Sequence, residues 1–130
     1  MASISREIVI ESSADDVWKV IGDFATGPSR MAPGFVVDTH PEEDGLRRVT
    51  FADGTVVRER LIGIDHDARR IVYSVVGGSV TPEHDNAAMQ VVEEGDKCRV
   101  TWIRDVLPDS LATPMAAAMT HGLTVMQKAL

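Results

Sequence analysis

The sequence predicts an α+β domain in which a long C-terminal helix packs against a seven-stranded, curved antiparallel sheet. Six short β-rich runs follow one another between Phe35 and Val106, and the turns between them include Asp44-Gly45 and Asp53-Gly54, pairs typical of tight hairpins. A seventh run, Ile4 to Ile10, precedes them. The segment from Pro108 to Leu130 is rich in Ala, Met and Leu, which favour helices.

Length and charge limit the possible functions. A chain of 130 residues has room for one core, so we expect a single domain over residues 1–130. The formal net charge of -7 repels polyanions, which argues against nucleic-acid binding. The first ten residues lack a signal-peptide pattern and no apolar run is long enough to span a membrane, so we expect a cytoplasmic protein without integral membrane association. The oligomeric state stays open.

Two short helices are predicted after the first strand. Ser13 precedes two carboxylates in a helix N-cap pattern, and Gly22 is expected to end this helix in a left-handed conformation. A second short helix is predicted around Phe24 to Arg30. The last helix is expected to begin at Pro114 with Thr113 as its N-cap.

The six consecutive strand predictions follow from residues that alternate between apolar and polar. They are Phe35–His40, Leu46–Phe51, Val56–Ile64, Arg70–Val76, Asn86–Val92 and Lys97–Val106. A curved sheet of this size must cover one apolar face, and the last helix is the element large enough to do so.

The order and spacing of several short motifs resemble the SRPBCC superfamily. The motifs are Ser13–Trp18, Ile21–Phe24, Val57–Leu61 with Asp65, Tyr73–Gly78 and Cys98–Trp102. The chain is similar to its START-like, birch-pollen-allergen-like and polyketide cyclase/dehydrase-like small members. The resemblance implies a helix-grip fold, β-α-α-β6-α, whose sheet grips the last helix around a ligand cavity. It does not imply one activity, because the superfamily includes carriers, receptors, cyclases and chaperone activators.

Strand parity and the resemblance together predict which side chains face that cavity. On the fourth strand the resemblance places Glu59 inward, and on the seventh the face of Trp102 is the expected interior face. A stripe of methionines on the last helix is expected to be mostly core, with Met119 and Leu123 touching the cavity. The expected ligand-binding residues are Val57, Glu59, Leu61, Tyr73, Val75, Ala87, Met89, Val100, Trp102, Met119 and Leu123.

Two of these residues are candidate catalytic groups. A carboxylate in an apolar cavity has a raised pKa, so Glu59 could act as a general acid or base or orient a ligand hydroxyl, or it could form a salt bridge to an arginine at the rim. Tyr73 could donate to a ligand oxygen, or it could be a core tyrosine satisfied by a backbone carbonyl. Both alternatives stay open for each residue.

Other polar residues receive structural interpretations. Asp85 is expected at the solvent or rim. Arg104 is expected as a solvated rim charge, and the alternatives are that it pairs with Glu59 or holds a ligand anion. Cys98, the single cysteine, is interpreted as a packing residue. The four histidines are scattered without ligand spacing, so neither a metal site nor a cofactor is predicted.

These observations favour a protein that binds or transports a small hydrophobic or aromatic molecule, such as a lipid or polyketide, in an internal cavity. The first alternative is an enzyme resembling polyketide cyclases or dehydratases that uses Glu59 and Tyr73. The second is a protein-interaction module without a ligand, which would need a large exposed apolar patch.

Overall fold

The computed structural model describes all of residues 1–130. Seven strands, three α-helices and one 3₁₀ turn follow one another in the predicted order. They are β1 (Ala2–Ile10), α1 (Ala14–Ile21), α2 (Gly27–Met31), β2 (Val36–Pro41), β3 (Leu46–Phe51), β4 (Val56–Asp65), β5 (Arg70–Gly78), β6 (His84–Glu94), β7 (Lys97–Leu107), the 3₁₀ turn (Asp109–Leu111) and α3 (Ala112–Ala129). The predicted α+β class and helix-grip architecture are confirmed.

All seven strands belong to one antiparallel sheet. Their order is β1-β7-β6-β5-β4-β3-β2, so β2 to β7 form a meander and β1 adds to β7 at the far edge. The predicted hairpins form at Gly45 and Gly54, whose φ angles of 74° and 91° lie in the left-handed region that glycine tolerates. The alternating strands therefore turn where the sequence predicts.

The helix ends differ from prediction at two points. The Ser13 side chain caps α1 as expected, because its Oγ accepts a hydrogen bond from the backbone N–H of Asp16 at 3.2 Å. Gly22 does not adopt a left-handed conformation, since its φ is -76°. The glycine is required there by space, because a Cβ would lie 2.7 Å from Cε2 of Trp18.

The start of the last helix was also predicted wrongly. Helix α3 begins at Ala112 because the 3₁₀ turn runs directly into it, and no side chain caps its first turn. Thr113 therefore lies inside the helix and is not its N-cap. The difference moves the start of α3 by two residues from the predicted Pro114.

The inward face of the sheet and the helices enclose one apolar core. Met119, Leu123 and Met126 of α3 are buried, as are Val17 and Ile21 of α1. Helix α1 packs against β6 and β7. No helix has both the length and the apolar character needed to cross a bilayer.

Candidate functional site

A cavity of about 280 Å³ lies between the sheet and α3, at one end of the sheet. Three connections meet at this end because antiparallel strands return the chain to it repeatedly: the β3–β4 hairpin, the β5–β6 loop and the junction of β7 with α3. The strand residues in the wall are Val57, Glu59, Val75, Trp102 and Arg104. The remaining lining residues are Phe35, Phe51, Asp53, Thr55, Val80, Leu111, Pro114, Met115, Ala118 and Met119.

Five of the eleven predicted ligand-binding residues line this cavity. They are Val57, Glu59, Val75, Trp102 and Met119. The other six do not line it: Leu61, Tyr73, Ala87, Met89, Val100 and Leu123. The side chains of those six form or contact the packed core. Two of them, Ala87 and Met89, lie on β6, which contributes no residue to the cavity wall. Parity identified the correct face of each strand, but the hollow occupies only one end of that face.

Five of the ten lining residues outside the predicted set lie in the connections: Phe35, Asp53, Thr55, Val80 and Leu111. Phe35 and Phe51 contact each other with ring centroids 5.1 Å apart, and they flank the mouth together with Thr55. Met115 belongs to the methionine stripe of the last helix that is predicted to be mostly core, but it lines the cavity. A signal was present in the sequence, because the alternating direction of the strands already places these turns at the same end of the sheet.

Glu59 points inward, and a buried arginine holds its carboxylate. Arg47 on β3 lies directly opposite Glu59 on β4, and its Nε donates a hydrogen bond to Oε1 of Glu59 at 2.8 Å. Nη1 of Arg47 donates to the backbone carbonyl of Phe24 at 2.9 Å. The arginine side chain is 5% exposed and the carboxylate side chain 8%, so the salt bridge lies in the interior and not at the rim.

Asp85 is buried, so its predicted position at the solvent or rim is wrong. Strands β5 and β6 separate beyond the Tyr73–Ala87 pair, and the carboxylate of Asp85 fills the split. Its Oδ2 accepts the backbone N–H of Val75 at 2.8 Å, and Ser74 Oγ donates to the carbonyl of Asp85 at 2.6 Å. Burial raises the pKa of Asp85, although Arg104 and the Val75 N–H act in the opposite direction.

Arg104 is likewise buried, which corrects its assignment as a solvated rim charge. Its side chain is 7% exposed, and its Nε lies 2.9 Å from Oδ1 of Asp85. The two atoms form an ion pair without an aligned hydrogen bond. Arg104 therefore pairs with Asp85, whereas the alternative partner Glu59 pairs with Arg47. Both Arg104 and Glu59 face the cavity.

Tyr73 lies behind the cavity wall between the two ion pairs. Its ring centroid is 5.1 Å from the guanidinium carbon of Arg47 and 5.8 Å from that of Arg104. Its hydroxyl accepts a hydrogen bond from Nε1 of Trp102 at 3.1 Å, so the partner is a side chain and not a backbone carbonyl. Burial raises the pKa of Tyr73 to about 12, which keeps the phenol protonated near neutral pH.

The arrangement resembles neither a metal centre nor a nucleophile site. No three His, Cys, Asp or Glu side chains are grouped so that they could hold a metal ion. Cys98 is buried at the other end of the sheet. The buried charged groups of the wall are therefore the Glu59 carboxylate and the Arg104 guanidinium, both set among apolar side chains. The other polar lining residues are Thr55 and the exposed Asp53.

A family model identifies the family of this chain. The family model described as "Polyketide cyclase / dehydrase and lipid transport" matches residues 1–130. The chain belongs to this family. No curated protein sequence matches it. Membership supports a role in binding hydrophobic ligands or in cyclase chemistry.

Solved structures share the fold. An uncharacterised protein of Bacillus thuringiensis has a TM-score of 0.87 and 23% identity, with 98% of each chain covered. Norcoclaurine synthase from Thalictrum flavum, in complex with dopamine and hydroxybenzaldehyde, has a TM-score of 0.71 and 20% identity, over 98% of this chain and 84% of the other. The di-domain ARO/CYC BexL of the BE-7585A biosynthetic pathway has a TM-score of 0.76 and 19% identity. The match covers 100% of this chain and 45% of BexL.

Proposed function

We propose that this protein binds or transports a small hydrophobic or aromatic molecule in the cavity beneath α3. The observation that carries the proposal is the hollow of about 280 Å³ itself, whose wall is largely apolar but contains two buried charged groups. Such a combination is typical of ligand pockets, in which apolar surface supplies affinity and a few polar groups fix orientation. The family description and the ligand-bound norcoclaurine synthase support it.

A thermal-shift panel of lipids, aromatic polyketides and simpler aromatic compounds tests the proposal. A ligand that binds only the folded state raises the melting temperature by mass action, so at least one chemical class should do so in proportion to its concentration. Native mass spectrometry of the protein from its own cell should show a retained mass of the same class. No shift for any class, combined with no retained mass, contradicts the proposal.

A matched pair of variants ties the binding to this cavity. Val57 is 7% exposed and lines the hollow, so Val57→Phe places a ring inside it. Val92 is 44% exposed on the outer side of the sheet, and Val92→Phe adds the same volume there. We expect the first variant to lose the ligand-induced shift and the second to keep it. Circular dichroism of both variants establishes that they are folded.

A second candidate function is cyclase or dehydratase chemistry. Glu59 supports it, because its carboxylate lies in the cavity wall and could take a proton from a carbon next to a ligand carbonyl. Tyr73 does not line the cavity, and its hydroxyl stays protonated, so it is not a base. Its role would be to position Trp102, whose Nε1 donates a hydrogen bond to the Tyr73 hydroxyl. Under this candidate Glu59→Gln should abolish turnover of a poly-β-ketone while preserving its binding. Unchanged turnover removes Glu59 from the chemistry.

The third possibility, a ligand-free interaction module, has the weakest support. It needs a large exposed apolar patch in place of a hollow. The large hydrophobic side chains on the outer side of the sheet, such as Ile62 and Ile103, are each only about half exposed, whereas the cavity has a volume of about 280 Å³.

A further inference from the structure

Two positive and two negative groups are buried in the cavity wall or directly behind it. Arg47, Glu59, Asp85 and Arg104 are each between 4% and 6% exposed, and they are the only charged residues among the buried ones. Their formal charges cancel. Because each ion pair is closed within the protein, the buried wall has no net charge to offer a ligand.

The four groups differ in how much hydrogen-bonding capacity remains. Arg47 is occupied by the Glu59 carboxylate and the Phe24 carbonyl, and it does not line the cavity. Asp85 is occupied by the Val75 N–H and by Arg104, and it does not line the cavity either. Both of these residues are therefore positioned behind the wall, where they fix the other two.

Glu59 and Arg104, which do face the cavity, each keep polar atoms free for hydrogen bonds to a ligand. Glu59 uses Oε1 for Arg47, which leaves Oε2 as an acceptor. Arg104 contacts Asp85 through Nε, which leaves its terminal N–H groups as donors. The rest of the wall is mostly apolar apart from Thr55 and the exposed Asp53, so Glu59 and Arg104 are the buried acceptor and the buried donor available to an occupant.

The surroundings of Arg104 favour its charged form. Burial lowers the pKa of its guanidinium, but Tyr73, Asp85 and Glu59 together raise that pKa above its ordinary value. Glu59 and Arg104 line the same cavity of about 280 Å³, so one ligand that fills it lies against both groups.

We propose that the cavity selects an uncharged ligand with a carbonyl oxygen for Arg104 and a hydroxyl hydrogen for Glu59, as in an aromatic β-hydroxy ketone. The inference rests on the proposed binding function and adds the ligand's chemical class to it. A carboxylate in the same place would add one negative charge beside two buried ion pairs that are already balanced, in a wall that contains Glu59 and Asp53, and an unpaired buried charge is costly. A plain hydrocarbon would leave the donor and the acceptor without partners.

Three ligands with the same naphthyl group test the inference. The first is 4-hydroxy-4-(2-naphthyl)butan-2-one, the second lacks its hydroxyl, and the third is 3-(2-naphthyl)propanoate, in which a carboxylate replaces the methyl ketone. Calorimetric titration of the wild-type protein at neutral pH should give the tightest binding for the hydroxy ketone. The carboxylate should bind about tenfold or more weakly than the ketone without the hydroxyl.

Two variants test the role of charge balance. Asp85→Asn keeps an oxygen for the Val75 N–H but leaves the wall with one net positive charge. Glu59→Gln does the same while keeping an acceptor for Arg47, and it serves as the second variant where the first fails to fold. Either variant should strengthen binding of the naphthylpropanoate relative to the ketone without the hydroxyl, so that the affinities of these two compounds become equal or change order.

The outcomes separate this inference from the proposed function. If none of the three compounds binds the wild-type protein, the proposed function fails for this ligand class and the inference fails with it. If they bind but the carboxylate is as tight as the ketone, or if neither variant changes their ratio, the charge-balance inference is overturned while the cavity remains a binding site.

Discussion

Arg47 and Glu59 lie opposite one another on neighbouring strands and form a buried ion pair, with Nε of Arg47 2.8 Å from Oε1 of Glu59. The arginine reaches beyond the sheet as well, since its guanidinium carbon is 4.2 Å from the centroid of the Phe24 ring and it donates to the Phe24 carbonyl. One side chain therefore fixes the cavity carboxylate and the segment that follows α1.

Replacing Arg47 should destabilise the protein strongly. Arg47→Met leaves the Glu59 carboxylate buried without its partner, which typically costs about 3–5 kcal/mol in the free energy of unfolding. Urea denaturation measures the loss. The double variant Arg47→Met with Glu59→Leu removes both charges and should recover a large part of it. Arg48→Met, at the partly exposed neighbouring position, should change stability by no more than about 0.5 kcal/mol.

Asp85 should give the protein a measurable pH dependence of stability. Burial raises the pKa of its carboxyl in the folded state above the usual 3.8, so the folded protein holds this proton more tightly than the unfolded chain does. The contribution of Asp85 to stability is therefore lost as pH rises from about 3.8 through the higher folded pKa. Across that interval the unfolding free energy of the wild type should fall relative to that of Asp85→Asn. A difference that grows with pH would contradict the assignment.

The single tyrosine offers a direct optical test of the site. Burial raises the pKa of Tyr73 to about 12 from the ordinary value of 10.0, so the folded protein should develop little tyrosinate absorbance near 295 nm below about pH 11. In urea the same titration should have its midpoint near pH 10. Because the folded state retains the proton longer, stability should fall between pH 10 and pH 12, and Tyr73→Phe should lack this decline.

The sequence was informative about strands and turns because their signals are local. Alternation and Asp-Gly pairs depend on neighbouring residues, so the bounds of β3 were predicted exactly as Leu46–Phe51 and most other ends within two residues. The helix boundaries were less accurate. The left-handed conformation predicted at Gly22 failed because the glycine there makes room for the Trp18 ring, a contact that local pattern does not reveal.

The site was only half predictable because parity fixes the face of a strand but not how far along it the core is filled. Helix α1 packs against β6 and β7, and Met89 and Val100 belong to the filled core while Trp102 lines the cavity. The burial of Asp85 could not be predicted for a similar reason. It depends on Arg104 from β7 and on the separation of β5 from β6, and neither is visible within the strand that carries the aspartate.

Gly122 should resist the usual benefit of alanine in a helix. A Cβ at this position would lie 3.3 Å from Cε2 of Phe35 and 3.4 Å from Cζ3 of Trp102, two residues of the cavity wall. Gly122→Ala should therefore stabilise the protein by less than the roughly 1 kcal/mol expected from helix propensity, and it should weaken ligand binding. Ala117→Gly, at an exposed position of the same helix, measures the effect of helix propensity on stability without a change in packing. Equal and opposite effects of the two variants would contradict close packing at Gly122.

Cys98 should be unreactive while the protein is folded. Its side chain is fully buried, and burial, followed by the nearby Glu94 carboxylate, raises the pKa of the thiol, so the nucleophilic thiolate is scarce and inaccessible. Reaction with Ellman's reagent at pH 8 should be slow and limited by opening of the fold, and it should be complete within mixing in urea. A matched control is Ser110→Cys in a Cys98→Ala background, because position 110 is exposed. That thiol should react rapidly in the folded protein, and an equally rapid reaction of Cys98 would show that β7 opens far more readily than its buried core position implies.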